Sequence, residues 1–246
     1  MRSICWFRND LRVLDNPALY NACLNSQEVI GVYLTTFKQW ELQNDAQTKI
    51  NFWFRNLENL KSKLEKLKIP LVVLDAETFA NSPKILWDFI EENDVKSLYF
   101  NNEYAFYELE RDREIYQDFR ENGVGVFNYH DQVIHQPGSL KTTLGNNFSV
   151  YSPFKKKWFA ELDDSQLGLL PIPAPKAEIS IKSSDLGEYL AETKVSQEKY
   201  WESGEAFIQN HINEFLKTKG SAYKEERNFP NIKATSMLSP YLNSGV

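Results

Sequence analysis

Five short apolar runs punctuate the first half of the chain, at Ser3–Phe7, Val29–Leu34, Leu71–Leu74, Ser97–Phe100 and Val124–Tyr129. Ser3–Phe7, a short apolar and aromatic run, reads as a buried strand, and the other four runs read as strands. Between them the apolar residues return at helical spacing. Asp15-Asn16-Pro17 reads as an Asx cap with proline in the first turn of a helix. From Ala46 to about Leu67 the residues Ile50, Phe52, Trp53, Leu57, Leu60, Leu64 and Leu67 mark a longer helix, with Pro70 expected to stop it. Ser82-Pro83 opens another helix through Ile90, and a charged helix runs from Phe106 to about Glu121. Strands alternating with helices predict an α/β domain over residues 1–130, with a five-stranded parallel, Rossmann-like sheet covered by helices on both faces. Such sheets bind ligands outside the carboxyl ends of their strands, where the winding direction switches.

Beyond Tyr129 the pattern changes. Residues 130–150 read as a loop, Tyr151-Ser-Pro-Phe-Lys-Lys-Lys-Trp158 as a compact motif, and Gln166 to Ser184, with three prolines and little periodicity, as linker. Helical spacing returns at Ala206, Phe207, Ile208, Ile212, Phe215 and Leu216. The organisation expected is therefore a linker over residues 131–200 and the opening of an all-helical domain over 201–246. Phe207, Ile212, Phe215 and Leu238 to Tyr241 are expected to expose apolar faces that further helices would cover.

Composition narrows the function classes. With a formal net charge of −6 over 246 residues, the whole surface is not a nucleic-acid binder, although a local basic patch remains compatible. Two cysteines without a CxxC spacing and three scattered histidines indicate neither a disulfide framework nor a metal site, and a reducing cytoplasm fits them. No run approaches the ~18 apolar residues of a membrane span, and Met1 leads into the first strand without a signal-peptide pattern.

The richest candidate chemistry lies near the end. Thr235, Ser236 and Ser239 supply hydroxyls, and if Ser236 or its neighbour begins a helix, the backbone N–H groups there would suit a phosphate. On chemistry alone, simple helix capping is the commoner role for such residues. Gly123-Val-Gly125 reads as a helix-to-strand turn, and Lys155-Lys-Lys157 as a solvated run with DNA steering as the sharper option.

Three ordered motifs carry a resemblance. Trp6-Phe-Arg-Asn-Asp-Leu-Arg12 with Asp15-Asn-Pro-Ala-Leu19, Tyr151-Ser-Pro-Phe-Lys155 with Trp158, and Thr235-Ser-Met-Leu-Ser-Pro-Tyr-Leu242 with Gly245 together resemble the signatures of the photolyase/cryptochrome family. The resemblance implies an antenna domain joined by a linker to a helical domain that holds FAD. It implies FAD contacts at Tyr223, Thr235, Ser236, Met237, Leu238 and Ser239, and a DNA-phosphate contact at Arg227. An antenna chromophore would meet Glu108, but Tyr107 and Gln43 stand where folate-binding relatives carry asparagine and histidine, so folate is disfavoured and a deazaflavin or flavin stays open. The implied reaction is light-driven, FAD-dependent splitting of cyclobutane pyrimidine dimers in DNA. No catalytic residue is assigned inside the chain, which alone is expected to be an inactive fragment with the rest of the FAD cradle and the dimer pocket downstream. A cryptochrome-type light sensor and a stand-alone antenna-cofactor module are the alternatives.

Overall fold

The computed structural model describes residues 1–193 and 201–246. The last seven residues of the expected linker, 194–200, lie outside the described residues. Five strands, β1 (Arg2–Phe7), β2 (Glu28–Thr35), β3 (Leu71–Asp75), β4 (Ser97–Asn101) and β5 (Gly125–Tyr129), form one sheet in the order β3-β2-β1-β4-β5. All four pairings are parallel, with Ile4 opposite Ile30 and Leu98. The chain winds outward from β1 in one direction through β2 and β3, then returns to the other side of β1 for β4 and β5. The switch point thus lies beside the carboxyl end of β1.

Helices α1 (Pro17–Asn25), α2 (Phe37–Leu42) and α3 (Gln47–Lys66) follow β1 and β2, while α4 (Ser82–Glu92) and α5 (Phe106–Glu121) follow β3 and β4. The period-2 alternation of a strand sends Cys5 and Phe7 to one face and Ile4 and Trp6 to the other. The first pair packs with Leu19 of α1 and Leu57, Leu60 and Leu64 of α3. The second packs with Leu86 and Ile90 of α4 and Ile115 and Phe119 of α5. Both faces are covered, as the uninterrupted apolar runs require.

Local chemistry fixes the element ends. Asn16 caps α1, its side-chain oxygen accepting from the Leu19 N–H at 3.0 Å, with Pro17 in the first turn. Pro70 is not what stops α3: the helix ends at Lys66, and Lys68 turns the chain with a φ of 58°, before the proline is reached. The short helix α2 was not expected, because six residues carry too little periodicity to announce it.

After β5 the chain runs through a long loop to α6 (Tyr151–Ala160), a 3-10 turn at Asp164–Leu167, and an extended segment ending in α7 (Gly187–Thr193). That extended segment is fastened to the sheet. The Ser183 and Ser184 hydroxyls accept from the Leu71 and Val73 N–H groups at 3.1 and 2.9 Å, and Ser184 N–H donates to the Leu71 carbonyl at 2.8 Å. It therefore covers the otherwise open β3 edge. Leu186 is buried in the main core, and the Tyr189 ring stacks on Phe54 at 4.5 Å.

Helices α8 (Glu205–Thr218), α9 (Tyr223–Glu226) and α10 (Ser239–Ser244) complete the described chain. The expectation of exposed apolar faces beyond Gly204 is corrected in part. Ile208 and Tyr241 are buried with Phe52 of α3, and Phe207, Ile212 and Leu238 pack against them. Aromatic residues on α3 that would otherwise face water account for this docking, since Phe52 meets Tyr241 edge-to-face at 5.3 Å.

Candidate functional site

The loop after β1 organises a cleft at the switch point. Arg8 is buried, and its Nη1 donates to both carboxylate oxygens of Asp112 at 2.7 Å. Arg111 donates to Glu103 at 2.8 Å and to Asp112 at 2.9 Å, while Asn9 donates to the other Glu103 oxygen at 2.6 Å. Two guanidiniums and two carboxylates thus close into a network whose charges balance, which is what allows four ionised groups below the surface. Both cations lie against the Trp6 ring, Arg8 4.5 Å and Arg111 4.6 Å from its centroid. Burial would raise the Glu103 carboxyl, but Arg8 and Arg111 outweigh it and hold the group below the ordinary range. Asp10 goes the other way: burial pushes its carboxyl up, although it accepts from Arg8 N–H at 2.7 Å and from Asn101 at 2.6 Å.

Above this floor lies a cavity of about 260 Å³, walled by Trp6, Tyr33, Trp40, Trp53, Glu108 and Asn243 among others. Two buried polar atoms among the described residues make no hydrogen bond, Trp6 Nε1 and Glu108 Oε2, and both residues line this cavity. Orphaned buried donors and acceptors are rare in folded proteins, and a ligand offering the complementary groups would satisfy them. Burial raises the Glu108 carboxyl, with repulsion from Glu103 adding to the shift. Gln43 lines the same cavity, whereas the Tyr107 ring is exposed and edge-on to Phe106. Among the described residues no cluster of histidine, cysteine or acidic groups could hold a metal ion, and no helix is long and apolar enough to cross a membrane.

The second group of expected site residues lies on the carboxyl-terminal helices. Tyr223 begins α9 with its ring edge-on to Phe215, and Arg227, at the end of α9, lies exposed over the Tyr223 ring at 5.4 Å. Arg227 makes no ion pair among the described residues. The run Thr235 to Ser239 is tied to α8 by His211, whose Nε2 donates to the Ser236 carbonyl at 2.6 Å. Met237 is exposed in the left-handed region at a φ of 55°, Leu238 is half-buried, and α10 starts only at Ser239. Neither Ser236 nor its neighbour begins a helix: α10 starts at Ser239 and is six residues long, too short for an anion site at its N-terminus to be argued from it. The hydroxyls of Thr235, Ser236 and Ser239 have no protein partner among the described residues. Ser239 also lines a groove of about 400 Å³ against Phe52, Trp53 and Trp201.

Sequence reasoning had not marked the buried network as a unit, because its members stand up to 104 residues apart and only the parallel sheet brings Arg8 to Asp112. Nor had it singled out Asn243, which no spacing or composition distinguishes.

The class is a doubly wound, open-sheet α/β domain with a polar-floored cleft at its switch point, the place where such sheets bind ligands. The sequence model of DNA photolyase matches residues 3–176, and the chain belongs to that family. It is 32% identical over 254 aligned residues to a deoxyribodipyrimidine photo-lyase of Buchnera aphidicola, a match covering 100% of this chain and 51% of the relative. Among solved structures, a bacterial class III photolyase from Agrobacterium tumefaciens superposes with a TM-score of 0.83 at 27% identity, covering 99% of this chain and 50% of that one. A Synechocystis cryptochrome shares the fold with a TM-score of 0.75 at 17% identity, over 100% of this chain and 53% of that one. The chain spans about half the length of the curated relatives it matches.

Proposed function

We propose that the protein repairs cyclobutane pyrimidine dimers in DNA by light-driven, FAD-dependent electron transfer. The observation that carries this reading is the likeness to deoxyribodipyrimidine photo-lyase along the whole chain, joined to the unpartnered hydroxyls of the Thr235 to Ser239 run. In this reading residues 1–130 form the antenna domain, 131–200 the linker and 201–246 the opening of the helical FAD-binding domain. Bound FAD would supply the photochemistry and the electron. The part left to this chain is positioning: Thr235, Ser236 and Ser239 offer hydroxyls to the pyrophosphate, with Met237 and Leu238 between them in the chain, and Tyr223 is assigned to the cofactor by its family motif. Arg227, exposed and free of an ion pair among the described residues, offers its guanidinium to a DNA phosphate. The strand-end cleft holds a light-harvesting chromophore, for which Trp6 Nε1 and Glu108 Oε2 are an available donor and acceptor. Gln43 in that cleft and the exposed Tyr107 favour a flavin or deazaflavin over folate. The buried thiols of Cys5 and Cys23 suit the cytoplasm, burial holding Cys23 up at about 11.

Two variants, made in a chain of the full length of its photo-lyase relatives, separate these roles. Arg227→Ala should weaken DNA binding alike for all sequences and reduce its salt slope by about one unit. Replacing Thr235 and Ser239 with glutamate should instead release FAD, because carboxylates would face the pyrophosphate. Retention of full FAD occupancy by the double glutamate variant would remove this run from the cofactor site. Cryptochrome-type signalling is the alternative, a cryptochrome sharing the fold.

A further inference from the structure

The two candidate sites meet at one short helix. Helix α10 carries Ser239 at its start and Asn243 one turn later, and Asn243 lines three spaces at once: the strand-end cleft, a larger cavity beside it that also contains Glu108, and the groove shared with Ser239. The Asn243 side chain is exposed and its amide has no protein partner among the described residues. Its position is not accidental to the packing. Leu11 N–H donates to the Ser244 carbonyl at 3.1 Å, Arg12 Nη1 donates to the Gly245 carbonyl at 3.3 Å, and Tyr241 is buried against Phe52. Gly245 is required by this docking: it adopts a φ of 63°, and a Cβ there would lie 2.4 Å from the Asn9 carbonyl oxygen. The loop that builds the floor of the cleft is therefore the loop that grips α10.

We propose that Asn243 is a ligand-binding residue of the strand-end cleft, so that a planar ring with a pyrimidinone edge bound there is held from both the α/β domain and α10. The proposal rests on the cleft being a chromophore site and extends it to the helical segment. A pyrimidinone edge presents an N–H beside a carbonyl, and a primary amide presents both a donor and an acceptor to match it. Ligand binding at the cleft then orders the helix that bears Ser239. By linkage, whatever α10 gains from a ligand in the cleft is returned as affinity at the Ser239 side.

The test uses the 246-residue chain with FMN in one arm and 5,10-methenyltetrahydrofolate in the other, since both carry a pyrimidinone edge. Affinity is read by calorimetry and ordering by hydrogen exchange at the Leu242 and Val246 amides, which donate to the Leu238 and Tyr241 carbonyls. For the probe that binds, Asn243→Ala should weaken affinity about five- to a hundredfold, the effect of losing the two hydrogen bonds the amide makes to the ring edge. Ligand should slow exchange at Leu242 and Val246 in the parent chain and not in the variant. Leu216→Ala, an exposed change on α8, should leave both readouts unaltered. Equal affinities for the parent chain and Asn243→Ala, with Glu108→Ala weakened, would overturn the role of Asn243 and leave the cleft as a site. Binding of neither probe to the parent chain would overturn both.

Discussion

The extended segment before α7 behaves in this structure as part of the α/β fold, and Leu186→Ala measures that directly. Leu186 is 1% exposed and sits in the core built by α1, α3 and the sheet. Truncation there loses the transfer free energy of the deleted groups and leaves a cavity, at a cost of about 2–5 kcal/mol. The lower half of that range is favoured, because Leu186 enters from an edge segment whose backbone has room to settle inward. For a unit of this size each kcal/mol lowers the melting temperature by about 2–4 °C, so a loss near 3 kcal/mol corresponds to roughly 6–12 °C. Urea and thermal unfolding followed by circular dichroism would read the change. Leu216→Ala, 62% exposed on α8, is the control and should stay within about 0.5 kcal/mol. A Leu186→Ala protein as stable as that control would show the segment to be a loosely attached connector, and the edge-covering role assigned to Ser183 and Ser184 would fall with it.

Asp112→Ala should cost about 3–5 kcal/mol, since it strips Arg8 of its bidentate partner and leaves a buried guanidinium 3.6 Å from Glu103 as its remaining ion pair; chemical denaturation checks this. Glu103 is held below the ordinary carboxylate range in the fold, so its contribution is present above the unfolded value of about 4.3 and is lost as pH falls through the depressed folded value. Acid titration of stability should therefore be shallower in Glu103→Gln than in the parent chain, and identical slopes would contradict the assignment. Gly245→Ala should undock α10, with left-handed strain of about 1–2 kcal/mol added to the clash at Asn9, and appear as faster exchange at Leu242 and Val246 while the β1 amides stay protected.

The sheet was legible because burial on both faces leaves its mark in the central strands: Val29 to Leu34 needs no partner to be recognised as a core strand, whereas β5, with Phe127 44% exposed, carries the mark weakly. The Asx cap at Asn16 and the proline after it were equally readable, being local. What was not legible depended on partners distant in sequence. The proline-bearing stretch reads as a free linker until Ser183 and Ser184 are seen capping the β3 edge, and nothing in Phe52 foretells Tyr241 as its cover. The same holds for the site. Tyr223, Arg227 and Thr235 to Ser239 are proposed chiefly on family motifs, while Asn243 and the unpartnered Trp6 Nε1 emerge from the three-dimensional arrangement alone.

The most direct test of the central claim is a repair assay on the protein in a chain of the full length of its photo-lyase relatives. Purified with FAD and reduced, it is incubated with an oligonucleotide carrying one cyclobutane thymine dimer, in blue light and in darkness, and intact thymines are counted by chromatography. The account predicts dimer splitting in light, none in darkness, and loss of splitting when Thr235 and Ser239 are both replaced by glutamate. A protein that holds FAD and bleaches reversibly in blue light, yet returns the dimer unaltered, would contradict repair and place it among the light sensors.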